Sequence, residues 1–250
     1  MKTTPYPPQD RAPNLSDNRL LAQIPAADAQ RWTTRLQLVE LALGDVLSES
    51  GSVPEYVYFP TTAIVSLVYT TSEGDCSEVA VVGCDGLVGI AVVMGGNAMP
   101  SQAVVQSAGQ AWRLPSRWVR DEIAASPLVL MVMLGYARAM LAQVARTAAC
   151  NRYHTIDQLL CRRLLMGLDR SSGTQLVMTQ ELVANLLGVR REGVTGAALR
   201  LQQAGVIRYS RGHIAVLDRV LLEAGTRCAA AASRALPMRT TARSAQAAMA

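Results

Sequence analysis

Histidine occurs twice in this 250-residue chain, phenylalanine once, and aromatic residues make up only 4% of it. Neither His154 nor His213 stands beside a clear nucleophile, and no paired carboxylates fall in a recognisable motif. No catalytic constellation can be drawn, and the chain does not read as an enzyme. Its five cysteines, Cys76, Cys84, Cys150, Cys161 and Cys228, are dispersed, odd in number and free of CxxC pairs. That argues against structural zinc and fits reduced thiols buried as small hydrophobes, so no metal and no cofactor is expected. No apolar run reaches the roughly 20 residues that a membrane helix needs, and the longest, 128–137, is cut by Arg138. The opening MKTTPYPPQDRAPN lacks the apolar core of a secretory signal, which makes the cytoplasm the expected location.

What is present is a chain half hydrophobic and only 17% charged, long enough for two domains with cores of their own. The net charge of +5 is unevenly spread. Residues 1–154 carry 11 basic and 13 acidic side chains, 155–228 carry 10 and 6, and the remainder carries three arginines and no acid. The positive field therefore belongs to the C-terminal part, as phosphate binding requires.

Texture changes along the chain. Residues 1–17 are Pro-rich and polar and read as a tail, and 18–31 suggest a short amphipathic helix with Leu20, Leu21 and Ile24 on one side. From 36 to 114 come short strand-forming runs (LQLVEL, EYVYFP, AIVSLVYT, SEVAVVG, QAVVQSAG, QAWRLP) split by turn signals, the pattern of a roll, sandwich or barrel. A helix is expected over 115–126. After Pro127 a long helical pattern runs to about 150, with Leu130, Leu134, Ala137, Leu141 and Val144 at intervals of three and four and Met131, Met133 and Met140 alongside. Such a stripe either pairs two subunits or packs on the roll of its own chain. Residues 151–155 would be a hinge before the helix IDQLLCRRLLMGLDR, and 229–250 an Ala/Arg-rich tail.

The clearest signal lies in TQELVANLLGVRREGVTGAALRLQQAGVI, residues 179–207. Thr179 can cap a helix, Leu182, Leu186 and Leu187 line one face, and Gly188 stands where a tight turn needs positive φ. A second helix follows, with Val194, Ala198 and Leu201 inward and Arg190, Arg191 and Glu192 at its start. Two short helices about a glycine, the second opening on arginines, form a helix-turn-helix that places side chains in the major groove. Val206, Ile207 and Tyr209, the turn Ser210-Arg211-Gly212-His213, and then Ile214 and Val216 read as a hairpin, hence a wing.

A β-roll, a long helix and a winged helix-turn-helix, in this order over residues 18–220, resemble the Crp/Fnr family of bacterial transcription regulators. GVRREGVTGAALRLQQAGVI is similar to the family's recognition segment, in which an Arg-Glu pair reads base edges, here Arg191 and Glu192. Arg190 replaces the usual serine, and Gly196 stands where many members have a further base-reading arginine. Thr179 and Gln180 match phosphate-contacting positions. Thr195, Arg200, Arg208, Arg211 and His213 complete the expected DNA contacts. The family's cyclic-nucleotide cassette is degenerate here. Gly86-Leu87-Val88 lacks its glutamate, and Pro100-Ser101-Gln102-Ala103 has proline where the phosphate-binding arginine belongs. Gly86, Gly89, Ser101, Gln102 and Thr147 are left as lining for a smaller pocket with an unknown effector.

The expectation is an α+β protein with a jelly-roll-like sensor domain (18–126), a central dimerisation helix (127–150) and a winged helix-turn-helix domain (151–228). Its function would be that of a homodimeric regulator of double-stranded DNA at a palindromic operator, uncontrolled by cAMP, with RNA polymerase as a further partner. The alternative is a module for a small molecule or second messenger, such as a cyclic dinucleotide or a redox signal, that acts through protein contacts.

Overall fold

The computed structural model describes residues 13–96, 98–171 and 174–226. The tail expected over 229–250, Cys228 and most of the tail expected over 1–17 lie outside them. The first described segment is not one amphipathic helix. Two 3-10 turns, Leu15–Asp17 and Leu21–Gln23, flank a fully buried Asn18. Its amide donates to the carbonyls of Pro60 (2.8 Å) and Gly86 (2.9 Å), and its Oδ1 accepts from the N–H groups of Leu20 and Leu21. Pro25, which cannot continue a helix through its missing N–H, separates these turns from α1 (Ala26–Thr33).

Seven strands follow: β1 (Gln37–Leu41), β2 (Val46–Ser48), β3 (Tyr56–Pro60), β4 (Ile64–Thr70), β5 (Cys76–Val82), β6 (Gln102–Ser107) and β7 (Gly109–Pro115). They form two antiparallel sheets, ordered β1-β7-β3 and β2-β6-β4-β5. Alternation on β3 sends Val57 and Phe59 inward while Tyr56 and Tyr58 are half-exposed. The single phenylalanine lies edge-on to Trp32, which meets Trp118 in the same way, an aromatic cluster within the roll.

Helix α2 (Ser116–Ala125) leads into α3 (Pro127–Tyr153), opened by Pro127 at its first turn and by the Ser126 hydroxyl, which accepts from the N–H of Val129. One face of α3 (Val129, Val132, Met133, Tyr136, Ala137, Met140) is sealed into the core of the roll. The helix continues through 151–153, so the break before α4 (Ile156–Leu168) is only His154 and Thr155. Thr155 caps α4 in a capping box with Gln158.

The C-terminal part adds β8 (Gln175–Val177), α5 (Gln180–Leu187), α6 (Arg191–Gln203), β9 (Ile207–Ser210), β10 (His213–Val216) and α7 (Arg219–Gly225). Its sheet runs β8-β10-β9, one strand wider than the expected hairpin. A second core of Leu160, Leu164, Val183, Val194, Ile214 and Leu222 holds the helices on that sheet, each residue at most 1% exposed. Burial of each of the larger side chains is worth about 1.5–3 kcal/mol.

Candidate nucleic-acid interface

The Thr179 hydroxyl accepts from the Leu182 N–H at 3.1 Å and so starts α5. Gly188 ends it with φ 65° and ψ 37°, a conformation that L side chains rarely adopt. This turn sets α6 across α5. Val194, Ala197 and Ala198 are buried, and a Cβ at Gly193 would lie 2.6 Å from Ile156, so α6 runs close against α4. With that face sealed, Arg190, Arg191, Glu192 and Thr195 are left exposed.

Three segments meet at this exposed edge. The Thr195 hydroxyl lies 2.8 Å from Gln180 Oε1, which joins the start of α6 to the start of α5. Gly212, at the wing tip, lies against Thr179 and accepts from the Met178 N–H at 2.8 Å. The tip is built from Arg211 (φ 48°) and Gly212 (φ 82°), the double positive-φ geometry of a tight two-residue hairpin. Tyr209 braces it from behind, its hydroxyl donating to the Met178 carbonyl at 2.8 Å. Arg208, Arg211 and His213 are exposed on or beside this hairpin. Two helix N-termini, each with the partial positive charge of its dipole, thus share an edge with exposed arginines, an arrangement suited to phosphate oxygens and base acceptors.

Arg200, also expected among the DNA contacts, is 59% exposed and has a partner within the chain. Its Nε and Nη2 engage Asp157 of α4 at 2.8 and 2.5 Å, a side-on pair that turns the guanidinium along the protein surface. The same pair holds the Asp157 carboxyl below the usual carboxylate range.

Of the residues expected to line an effector pocket, Thr147 stands well apart from Gly86. Gly86 is covered by Tyr136, whose ring would lie 2.3 Å from a Cβ there and whose hydroxyl donates to the Leu87 carbonyl at 2.9 Å. Thr147 sits eleven positions further along α3, about 16 Å away along the helix axis. Its hydroxyl is taken up by the Gln143 carbonyl and the Arg162 guanidinium. Ser101 is buried at the start of β6, Gln102 donates to Glu49 at 2.7 Å, and Gly89 (φ 102°) turns the backbone before Ile90. Among the described residues no three His, Cys, Asp or Glu gather as a metal site.

On α3 the expected pairing stripe splits. Leu134, Leu141 and Val144 are exposed, Leu130 is half-buried, and Ala137 faces the core of the roll. The inward face is centred on 129, 133, 136 and 140, and 137 belongs to it by helical phase. Leu128 and Met131, 60% and 67% exposed, extend the outward apolar face instead. By length and composition α3 is also long and apolar enough to cross a membrane, with a mean hydropathy of 1.7 over 18 residues and 33% of that window buried. Arg138 interrupts the run of letters but not the average.

A roll joined through a long helix to a winged helix-turn-helix with an arginine-bearing edge defines a class, the DNA-binding transcription regulators with a sensor-type β domain. Residues 38–126 match the family model of the cyclic nucleotide-binding domain, and residues 158–224 match that of the Crp-like helix-turn-helix domain. The chain belongs to the Crp/Fnr family of transcription regulators. A crp/fnr-family putative regulator from Eubacterium rectale superimposes with TM-score 0.66 at 17% identity, over 85% of this chain and 99% of that one. FixK2 from Bradyrhizobium japonicum gives 0.62 at 15%, over 76% and 96%. TTHA1359 from Thermus thermophilus gives 0.61 at 20%, over 76% and 98%. No curated protein sequence matches.

Proposed function

We propose that this transcription regulator acts as a homodimer on a palindromic operator, with Arg190, Arg191 and Glu192 reading base edges and Thr179, Gln180, Arg208, Arg211 and His213 holding the backbone. The observation that carries this is the junction of the α5 start, the α6 start and the wing tip at one exposed, arginine-bearing edge. Arg191 suits guanine O6 and N7 as a two-pronged donor, and Glu192 suits a cytosine amine. The apolar outer face of α3, from Leu128 to Leu141, supports pairing of two subunits about that helix. Two α6 helices about 34 Å apart then enter successive major grooves.

Ordinary cAMP is not the effector in this reading. Pro100 stands where the cassette needs an arginine, and Tyr136 occupies the space over Gly86. RNA polymerase is the further contact that such a regulator makes. The test is selection of duplexes from a random pool, followed by gel shift and sedimentation velocity, with calorimetry against cAMP. Expected are a two-fold symmetric site, a dimer at micromolar concentration and no heat from cAMP. A pool that yields no enriched site refutes base reading and leaves α6 as a protein-contact helix.

A further inference from the structure

Helix α4 carries an arginine into the sheet of the roll. Arg163 is 2% exposed, and three strands surround it with Ser66 from β4, Glu78 from β5 and Gln106 from β6, all buried. Arg163 Nε lies 3.0 Å from Glu78 Oε1, and its Nη2 donates to Gln106 Oε1. The Ser66 hydroxyl sits between Glu78 Oε2 at 2.5 Å and Gln106 Oε1 at 2.8 Å. Gln106 in turn directs its amide N–H to the sulfur of Met178, one residue before the Thr179 cap.

A second arginine repeats the arrangement. Arg170, 5% exposed and just past the end of α4, pairs with Asp85 at 2.8 Å and donates to Gln143 of α3 at 3.1 Å. Gln143 is fixed to the roll through the Val81 carbonyl at 3.0 Å. Position 83 is glycine because a Cβ there would lie 2.7 Å from that of Arg170.

An apolar seam tolerates small slides of one domain over another. A buried guanidinium between fixed partners does not, because displacement parts a buried charge from its counter-charge. Stability alone is a weak explanation for such a pair, since apolar residues of similar volume often hold a seam as well or better. Orientation is the better one. We infer that Arg163, held by Glu78 and Gln106, is a positioning residue for DNA recognition. It fixes the winged helix-turn-helix on the roll of its own subunit, and thereby the separation at which a dimer presents its two α6 helices. The second part rests on the dimeric reading above.

The test uses full-length chain with Cys76, Cys84 and Cys228 changed to serine and nitroxide labels on cysteines introduced at the exposed Thr71 and Gln203. Labelled chain is diluted with unlabelled chain so that only distances within one subunit are read. Expected is one narrow distance in the parent and a broadened distribution in Glu78→Met/Arg163→Met, with cooperative unfolding retained. Arg163→Lys keeps the charge without the fork and falls between them. On the duplex selected by the parent, inserting two base pairs between half-sites lowers parental affinity about tenfold or more and that of the double variant far less. An unchanged narrow distance in the double variant overturns the inference. Should that variant unfold, a distance in Arg163→Lys as narrow as the parent's overturns it equally. A broadened distance beside a spacing profile already flat in the parent keeps the positioning role and overturns the dimeric reading instead.

Discussion

In the winged helix-turn-helix, Arg190, Arg191, Arg208 and Arg211 stand in solvent along one edge. Where that domain meets the roll, Arg163 and Arg170 are 2% and 5% exposed and each faces a carboxylate. The same side chain thus appears in two dielectric settings within some 50 residues of chain. In water a guanidinium is free to exchange its hydration for a phosphate or a base, so its energy appears on binding. Under a sheet it has no such exchange, and its energy appears when its partner is taken away. The roll shows the complementary contrast, since the segment around Gly86, where a charged ligand would need an anchor, is closed by a tyrosine ring.

The sharpest break of this contrast is Glu78→Ala, which strands the Arg163 charge in the seam. Chemical denaturation should show a loss of about 3–5 kcal/mol; a loss under 1 kcal/mol would mean that water reaches Arg163. Gly86→Val comes next. Driving a branched side chain into the Tyr136 ring should destabilise by about 1–3 kcal/mol, read from the same curves, with no new ligand binding. Arg191→Ala should leave the melting temperature in place yet remove about 1–3 kcal/mol of discrimination between the selected duplex and a scrambled one. Equal losses on both duplexes would make Arg191 a backbone contact. Arg211→Ala should weaken all duplexes alike and lower the slope of log affinity against log salt by about one.

The smallest effect is at Asp157. Arg200 depresses its folded pKa, so the support from this pair is complete above the ordinary carboxylate range and fades as pH falls through the lowered value. Arg200 is largely in solvent and Asp157 is partly so, and Asp157→Asn should leave thermal stability at neutral pH within measurement error.

The helix-turn-helix was legible because its signals are local. Thr179 caps a helix whose N–H groups lie two or three residues away, and Gly188 answers a backbone demand at its own position. The strand runs between 36 and 115 were legible for the same reason, as alternation is a near-neighbour property. What escaped is set by partners distant in sequence. In CRRLL the two arginines look like an exposed basic pair, and the groups that bury Arg163 lie 57 or more positions away on three strands. A faint signal exists, since Arg163 falls in phase with Leu159 and Leu160 on the apolar stripe of α4. Ala137 faces inward because the roll chooses which side of α3 it covers. The pattern of threes and fours is shared by both sides of that boundary. The strands β2 and β8, three residues each, are too short to show periodicity.

Arg211 is the one non-glycine residue with positive φ among the described residues. Left-handed backbone under a Cβ costs on the order of 1 kcal/mol, which glycine would escape and asparagine would lessen. Arg211→Gly should therefore pull two measurements apart, tightening the hairpin against heat while loosening its grip on duplex DNA. In the function proposed above, durability and affinity are rivals for a single residue at this corner, and the chain has settled the contest in favour of the grip.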